Sequence, residues 1–311
     1  MKILIGHIEI GRLKFDQVVS VEVESAWKLL TDTATIVLPA HLKINADELL
    51  KYVRYGDRVS VSVGYDGKVN RIFTGYVTEL KPGVPVEIKC EDEMWKLKQQ
   101  TVSGSFRRAR LSDLIARFFG DYETDYNDMS IGNYYVQNLT KAKVLEKLKS
   151  DFGMYAFFRD GRLVIGKIYS PDATPKVFVL NENMISDDLV FKRKNEVRLK
   201  VKAISNMPDG SKVEIEIGDD DGEQRTLNFY DLSKTELKAA AERELERLKY
   251  DGWRGSFTAF GEPLVKHGEP VELRSKDEGT NEKTGRYFVD KVVYNFGKDG
   301  YRQKIYLGPR V

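Results

Sequence analysis

The sequence is poor in the residues on which most enzymes and metalloproteins depend. Its 311 residues include one cysteine, Cys90, and three histidines, His7, His41 and His267. A single cysteine excludes a disulfide framework and a cysteine-based metal site. Three histidines leave few candidates for the commonest catalytic base and metal ligand. The composition therefore argues against an enzyme, and we expect no catalytic residue, cofactor or metal site.

Long apolar runs and an excess of charge of one sign are also missing. No apolar run approaches the roughly 18 residues of a membrane helix, and residues 1–7 become polar too soon for a signal peptide. Lys and Arg total 50 against 48 Asp and Glu, which argues against a dedicated nucleic-acid-binding or polybasic membrane protein. The sequence therefore indicates a globular protein without a membrane segment, long enough for two or three domains.

The first hundred residues carry the patterns of β-strands. Apolar and polar residues alternate over residues 59–64 and 86–90, and residues 33–38 form a β-branched stretch that stops at Pro39. Turns between such strands are predicted at Asp66-Gly67 and Pro82-Gly83. Several short strands at this spacing predict a first β-barrel over residues 1–100.

The middle third changes to a helical period. Apolar residues recur with helical spacing over residues 111–119 and again over residues 144–152. The predicted caps of these helices are Thr140, Gly120 and Gly153. A hairpin follows at residues 155–165. These patterns predict a small α+β insert domain over residues 101–174.

Strand patterns return in the last third and are interrupted by one helix. Predicted strands are residues 197–203, 213–217 and 256–260. Ser233 and Glu236 fit a capping box, which predicts a helix over about residues 233–249. We expect residues 175–311 to form a second β-barrel that contains this helix. The predicted fold class is α+β, mainly β, with two similar β-barrel domains and an insert between them.

The last third of the chain resembles the first. Residues 56–59 (Gly-Asp-Arg-Val) match residues 268–271 (Gly-Glu-Pro-Val), and residues 71–77 match residues 286–292 as Arg-x-Phe-x-x-x-Val. Two β-meanders can look alike by chance, because strand–turn–strand patterns are degenerate. The alternative is two copies of one barrel. Three such subunits in a closed ring would display six similar barrels, so a threefold protein would present a nearly sixfold face.

The order of several motifs along the chain is more specific than any one of them. They are residues 56–61 and 71–77 (G-D-x-V and F-x-G-x-V) in the first barrel, residues 91–97 (acidic, then apolar) after it, and residues 261–268, 285–289 and 300–301 in the second barrel. Together they resemble the baseplate hub proteins of contractile phage tails, the late control protein D family. The same module forms the hub of type VI secretion spikes.

The resemblance implies a structural protein rather than an enzyme. It implies a homotrimeric ring that adapts the sixfold tail tube to the threefold central spike. Its partners would be further copies of itself, the tail tube protein, the spike protein and the tape-measure protein, with DNA only as cargo of the channel. The protein would lie in the virion tail baseplate after assembly in the bacterial cytoplasm. Since the chain ends at Val311, the spike needle and any hydrolase would be separate proteins.

Four groups of side chains could carry chemistry, and each has a simpler structural interpretation. They are Asp219-Asp220-Asp221-Gly222-Glu223, Glu91-Asp92-Glu93, His267 and Phe106-Arg107-Arg108-Ala109-Arg110. The first lacks the spacing of an EF-hand and fits a solvated hairpin tip; the second could supply paired carboxylates or a polar strand exit. His267 has no second ligand at metal-binding spacing. The basic group could contact phosphate or lie at a surface or subunit contact, and Cys90 should pack as a small hydrophobe.

Two other functions remain open from the sequence. Three Trp, 16 Tyr and 15 Phe together with abundant carboxylates are compatible with a carbohydrate-binding or glycoside-cleaving β protein. Aromatic residues interleaved with Arg and Lys also suit a barrel protein that binds single-stranded nucleic acid. The near-neutral net charge argues against the second of these.

Overall fold

The structure, a computed structural model, describes residues 3–39, 51–81, 83, 85–180, 182–274 and 284–311. Strands make up most of the regular structure of these residues, and the helices among them are short. The predicted fold class, an α+β fold that is mainly β, is confirmed. His41 and Pro82, which the sequence analysis singled out, lie outside the described residues.

The first β unit is built from antiparallel strands that precede Asp92. Its strands are β1 (Leu4–Ile10), β2 (Leu13–Phe15), β3 (Ser20–Ala26), β4 (Thr33–Leu38), β5 (Arg58–Tyr65), β6 (Lys68–Lys81) and β7 (Val86–Glu91). They pair in the order β3-β4-β7-β6-β5-β1-β2. Val59, Val61 and Val63 of β5 are fully buried, as their alternation with polar residues predicts. Their burial places the core on one face of the sheet.

The insert follows the first unit and has a hydrophobic core of its own. Its elements are α1 (Met94–Gln99), β8 (Thr101–Arg110), α2 (Leu111–Phe119), β9 (Thr124–Tyr126), β10 (Ser130–Thr140), α3 (Lys141–Phe152), β11 (Ala156–Arg159) and β12 (Arg162–Ile165). Leu114, Phe119, Leu145 and Leu148 are fully buried in this core. The apolar faces that predicted the two longer helices are therefore the faces that enter this core.

Local capping chemistry sets the ends of α3. Thr140 stands before the helix with extended backbone, and its side chain accepts a hydrogen bond from Lys143 N at 3.2 Å. Gly153 ends the helix in the left-handed conformation with φ 70°, and its N–H donates to helix carbonyl groups. Both predicted caps are confirmed.

The last part of the chain adds a second β unit. Its elements are β13 (Lys176–Val179), β14 (Met184–Asp187), β15 (Val190–Lys192), a 3-10 turn (Lys194–Glu196), β16 (Leu199–Asn206), β17 (Lys212–Gly218), β18 (Glu223–Tyr230), α4 (Lys234–Leu248), β19 (Gly252–Arg254), β20 (Ser256–Phe260), β21 (Pro270–Arg274), β22 (Gly285–Gly297) and β23 (Gly300–Arg310). The second unit proper pairs in the order β14-β20-β23-β22-β21-β13.

Strands β16, β17 and β18 form a separate three-stranded sheet, although the sequence analysis placed these residues in the second barrel. The order is β17-β16-β18, with β17 antiparallel and β18 parallel to β16. Val201, Ala203, Leu237 and Ala241 form its small core with α4. Helix α4 begins with the predicted capping box, in which Ser233 and Glu236 bond reciprocally. Alternation predicted the strands but carries no information about which sheet they join.

The two β units are joined edge to edge into one sheet. Strand β22 pairs antiparallel with β3, with Tyr294 opposite Val23, so that thirteen strands of the described residues belong to one sheet. One hydrophobic core lies on this sheet and includes Ile36 and Ile88 of the first unit with Phe257 of the second. The division into domains at residues 100 and 174 remains a prediction.

Candidate functional site: a β unit built twice

The same hydrogen bonds close the turn before β5, called the first turn, and the turn before β21, called the second turn. In each turn a glycine N–H donates to a valine carbonyl, and that valine N–H donates to the carbonyl of the acidic residue after the glycine. These residues are Gly56, Asp57 and Val77 in the first unit (2.8 and 2.9 Å) and Gly268, Glu269 and Val289 in the second (2.7 and 3.0 Å). Every member of one set is offset by 212 residues from its counterpart.

The acidic residue also caps its own turn in both units. Asp57 accepts a hydrogen bond from Arg54 N at 2.8 Å, and Glu269 accepts one from Lys266 N at 3.1 Å. The preceding glycines have φ values of 83° and 82°, a conformation that glycine adopts without steric cost. The Gly-acid-x-Val motif therefore encodes the same turn twice.

Strand register continues the equivalence beyond the turns. Arg58 lies opposite Tyr76 in the first unit, and Pro270 lies opposite Phe288 in the second. The register towards the next strand then slips directly after Val77 and directly after Val289. The strand order β3-β4-β7-β6-β5-β1 likewise matches β14-β20-β23-β22-β21-β13, although β13 runs parallel to β21 whereas β1 runs antiparallel to β5. Turn hydrogen bonds, register and strand order therefore match between the two units.

The alignment of the second motif was wrong by three residues. The sequence analysis matched Phe73 with Phe288, whereas the register matches Tyr76 with Phe288. Phe73 is buried and Phe288 half-buried. Because side chains alternate between the faces of a strand, an odd shift exchanges the inward and outward residues. Short alternating motifs can therefore be matched on the wrong face.

Residue Asp290 at the second register slip ties three parts of the chain together. Its Oδ1 accepts hydrogen bonds from Trp27 Nε1 at 2.9 Å and from Tyr169 OH at 2.7 Å, and its Oδ2 lies 3.4 Å from Lys28 Nζ. Trp27 directly follows β3, and Tyr169 follows the insert hairpin. Glu24 of β3 adds an ion pair with Lys291 of β22. The joint between the units is therefore polar as well as apolar.

A cavity of about 900 Å³ opens between the first unit, the insert and the second turn, and two buried carboxyl groups line it. Asp32 accepts hydrogen bonds from Ser25 Oγ at 2.5 Å and Ala26 N at 3.2 Å. Asp92 accepts from Asp32 N at 3.1 Å and Met94 N at 3.0 Å. Burial raises the pKa of Asp32 to about 7 and holds the pKa of Asp92 well above its usual range, with the neighbouring Asp32 charge as a further cause. Through Asp92, which accepts from both Asp32 N and Met94 N, the residue before β4 is linked to the start of α1.

The insert covers the second turn. His267 is 3% exposed, and its ring lies edge-on to Phe157 with the ring centroids 4.8 Å apart. Ser170 N donates to Gly268 O at 2.9 Å, and Arg159 donates to Ser170 Oγ at 2.7 Å. Burial lowers the pKa of His267 to about 3, so the ring is neutral and packs as part of the contact between insert and second unit.

Solved structures share this architecture, although no protein-family model matches the sequence and no curated protein is significantly similar to it. A tail protein from Neisseria meningitidis MC58 matches 99% of this chain and 96% of its own, with a TM-score of 0.68 and 14% identity. The 43 kDa tail protein of prophage MuSo2 from Shewanella oneidensis matches 98% and 97%, with a TM-score of 0.64 and 15% identity. The chain has the fold of phage tail proteins.

A secretion component has the same fold. An E. coli protein, described as a component of the type VI secretion system with structural similarity to the T4 bacteriophage tail proteins gp27 and gp5, matches 97% of this chain and 76% of its own. The TM-score is 0.57 and the identity 10%. The fold shared with tail proteins and this secretion component therefore extends over nearly the whole chain.

Within this tail-protein fold, the acidic cluster at residues 219–223 is not the hairpin tip that the sequence predicted. It connects β17 to β18, which lie on opposite sides of β16 and do not pair with each other. Asp219 accepts from Leu199 N at 3.0 Å and pairs with Lys249; the hydrogen bond from Lys249 lowers the pKa of Asp219. Lys249 therefore pairs with the connection rather than along its own helix, and Glu246 of that helix lies 3.9 Å from Lys194.

The three acids after β7 have separate partners. Glu91 pairs with Lys98 at 2.7 Å, Glu93 accepts from Tyr76 OH at 2.9 Å, and Asp92 is buried as described. Strand β7 thus ends in a polar exit, as the simpler interpretation held. No cluster of three or more His, Cys, Asp or Glu within the described residues could hold a metal ion.

The basic group at residues 106–110 is the end of strand β8, which the sequence analysis did not identify as a strand. Phe106 contacts Phe118 of α2, with ring centroids 5.5 Å apart, and Arg110 pairs with Asp128 at 2.6 Å. Arg107 and Arg108 are exposed. Arg110 is exposed as well, so all three arginines face solvent.

Of the remaining sequence candidates, Cys90 is buried in β7, as expected, and burial raises its pKa to about 12. His7 is an exposed residue of β1, and its Nδ1 lies 2.8 Å from Asp16 Oδ1. Among the described helices none is long and apolar enough to span a membrane.

Sequence reasoning missed Asp32 and Asp290, the two acids that fasten the joints. Asp32 belongs to no motif, and Asp290 occupies an unspecified position of the motif at residues 286–292 and acts through residues distant in the sequence. One signal was available for Asp290: it follows Val289 in a strand of otherwise apolar alternation, and an acid there calls for buried polar partners.

Proposed function

We propose that the chain is the structural hub of a phage-tail-like baseplate, a trimeric ring that adapts a sixfold tail tube to a threefold spike. The observation that carries this proposal is the β unit built twice, with the same strand order, turn hydrogen bonds and register slip. Three copies of such a chain offer six similar units to a sixfold partner while keeping threefold symmetry.

A ring that adapts one symmetry to another requires its two β units to keep a fixed orientation relative to each other. The continuous sheet across β3 and β22, the shared core and the contacts of Asp290 supply that relation. A flexible link between the units would let them turn independently and spoil the sixfold face. The rigid joint therefore supports a scaffold.

The proposed partners follow from this role. They are further copies of the chain, the tail tube protein, the central spike protein and a tape-measure protein, with DNA only as cargo of the channel. The machine would be a phage, prophage or other contractile injection system, and the protein would lie in its baseplate after cytoplasmic assembly. The role needs no catalysis, and the proposal is that the protein is not an enzyme.

Mass and symmetry in solution test the proposal. We expect light scattering after size-exclusion chromatography to give three times the 35.6 kDa of the chain, and end-on electron micrographs to show six similar lobes. Large permanent interfaces keep such a ring intact on dilution. A monomer at every concentration, or a ring of another order, would contradict it.

Ligand binding tests the two alternatives from the sequence. A glycan-binding or glycoside-cleaving protein should bind a glycan array or release reducing sugar, and a nucleic-acid barrel should bind a single-stranded oligonucleotide with an affinity that falls steeply with salt. We expect neither. Either activity in a monomeric protein would favour the corresponding alternative over the hub.

A further inference from the structure

Within the described residues, the insert covers the first turn less than the second: Trp95 of α1 lies against Gly56 and donates from Nε1 to Tyr55 OH at 3.1 Å. Tyr52 and Tyr55 stand beside it with 59% and 65% of their surface exposed. Lys51, Arg54 and Arg58 around them are exposed too, and within the described residues none of the three forms an ion pair. These five residues are called the basic aromatic patch. Because unpaired cations beside exposed aromatic rings attract anionic surfaces, the patch is suited to an acidic partner.

The opposite end of the sheet carries an acidic, aliphatic edge. Strand β14 pairs only with β20 among the described residues, so its other side is an open strand edge. Ile185 and Val190 are 44% and 54% exposed. Asp187 and Asp188 between them are exposed as well, and Asp188 lies 3.6 Å from Lys304. These four residues are called the acidic edge.

The duplication relates the two surfaces. Within the chain, β3 lies against β22, and β22 touches the second turn, because Tyr294 OH donates to Val265 O at 2.5 Å. In the order of strands, β14 holds in the second unit the place that β3 holds in the first. The first turn is the counterpart, in the first unit, of the second turn in the second unit. A ring that repeats the internal joint between copies therefore brings β14 of one copy to the first turn of the next.

We propose that the acidic edge of one copy binds the basic aromatic patch of the next copy, head to tail. The inference rests on the proposed ring and names the surfaces that close it. Because the two patches differ and β14 and β5 lie far apart in the strand order of one sheet, their contact is heterologous and can close into a ring. The internal joint uses the same chemistry, with Glu24 of β3 paired to Lys291 of β22.

The occupant is a second copy rather than a nucleic acid. The net charge of the chain is only +2, and the acidic edge would repel a phosphate backbone that approached the whole sheet. The aliphatic side chains Ile185 and Val190 also fit the faces of tyrosine rings, and they give the contact apolar area in addition to charge.

Charge reversal tests the contact. Arg54→Glu and Asp187→Lys should each weaken subunit association by about ten-fold or more, because each turns an attraction into a repulsion. The chain with both substitutions should regain association. Lys212→Glu changes an exposed lysine on β17 of the separate sheet that forms no ion pair with the described residues; it is the matched control and should leave association unchanged. Mass by light scattering over a dilution series, at low and at high salt, is the readout, and circular dichroism verifies the fold of each variant.

The outcomes separate the inference from the proposed ring. A wild-type trimer that survives both single reversals unchanged overturns the contact and leaves the ring standing. A wild-type chain that remains a monomer at every concentration and at low salt overturns both. Binding of a single-stranded oligonucleotide that Arg54→Glu abolishes, while the trimer persists, overturns the choice of partner.

Discussion

Replacing the two equivalent turn glycines by alanine should separate the cost of the backbone conformation from the cost of losing the insert contact. Gly56 and Gly268 have φ values of 83° and 82°, so Gly56→Ala and Gly268→Ala force the same left-handed strain on a β-carbon. That strain costs about 1–2 kcal/mol at each position. The surroundings of the added methyl group differ.

At Gly56 the new β-carbon would lie 3.0 Å from the ring tip of Trp95, a half-buried side chain that can move aside. At Gly268 it would lie 2.6 Å from the carbonyl oxygen of Ile168 and 2.1 Å from Arg159 Nη2. The carbonyl belongs to backbone and cannot move unless the insert moves with it. An overpacked contact of this kind costs about 1–3 kcal/mol more. We therefore expect a loss of about 1–2 kcal/mol for Gly56→Ala and about 2–5 kcal/mol for Gly268→Ala.

Urea unfolding at one fixed protein concentration measures both losses, since subunit association would make stability depend on concentration. Limited proteolysis adds a local readout: Gly268→Ala should expose the chain near residues 166–174 to cleavage, and Gly56→Ala should not. Equal losses for the two variants, or a larger loss for Gly56→Ala, would refute the claim that the insert braces the second turn.

Three further substitutions or probes test the joints. Asp32→Asn should flatten the pH dependence of stability: because its pKa is raised to about 7, the wild type should be most stable at acid pH and lose stability as the pH rises through 7, as melting temperatures from pH 5 to 9 would show. Asp290→Ala should cost about 2–4 kcal/mol in urea, because Trp27 and Tyr169 lose a buried acceptor, and Asp290→Asn should cost less; no loss would contradict the joint. Cys90, with its pKa raised to about 12 by burial, should react with a thiol reagent only after unfolding, and rapid reaction of the native protein would contradict its burial.

Helix ends were predictable from the sequence because their signals are local. Thr140, Gly153 and Ser233 act on backbone groups within five residues, so the chemistry that sets each boundary is contained in the adjacent sequence. The same is true of the strand at residues 33–38, whose bounds coincide with those of β4. Alternation of apolar and polar side chains fixes which face is buried wherever one face meets the core.

Strand partners were not predictable in the same way. The pairing of β3 with β22 joins residues more than 260 positions apart, and β18 lies beside β16 rather than beside β17, the strand that precedes it in the sequence. Alternation has a period of two and therefore says nothing about the neighbour of a strand. The misaligned motif at residues 286–292 has the same cause, since a stretch of alternating residues fits several registers equally well.

The divergence of the two copies shows where the sequence was free to change. The residue at the register slip is Thr78 in the first unit, where its hydroxyl donates to Lys89 O at 3.2 Å within its own hairpin. In the second unit the same place holds Asp290, whose partners come from β3 and the insert. The backbone slip turns the side chain out of the regular ladder in both copies. One copy satisfies it locally and the other uses it to bind its neighbours, so the shared backbone sets the position and the side chain decides whether it becomes a joint.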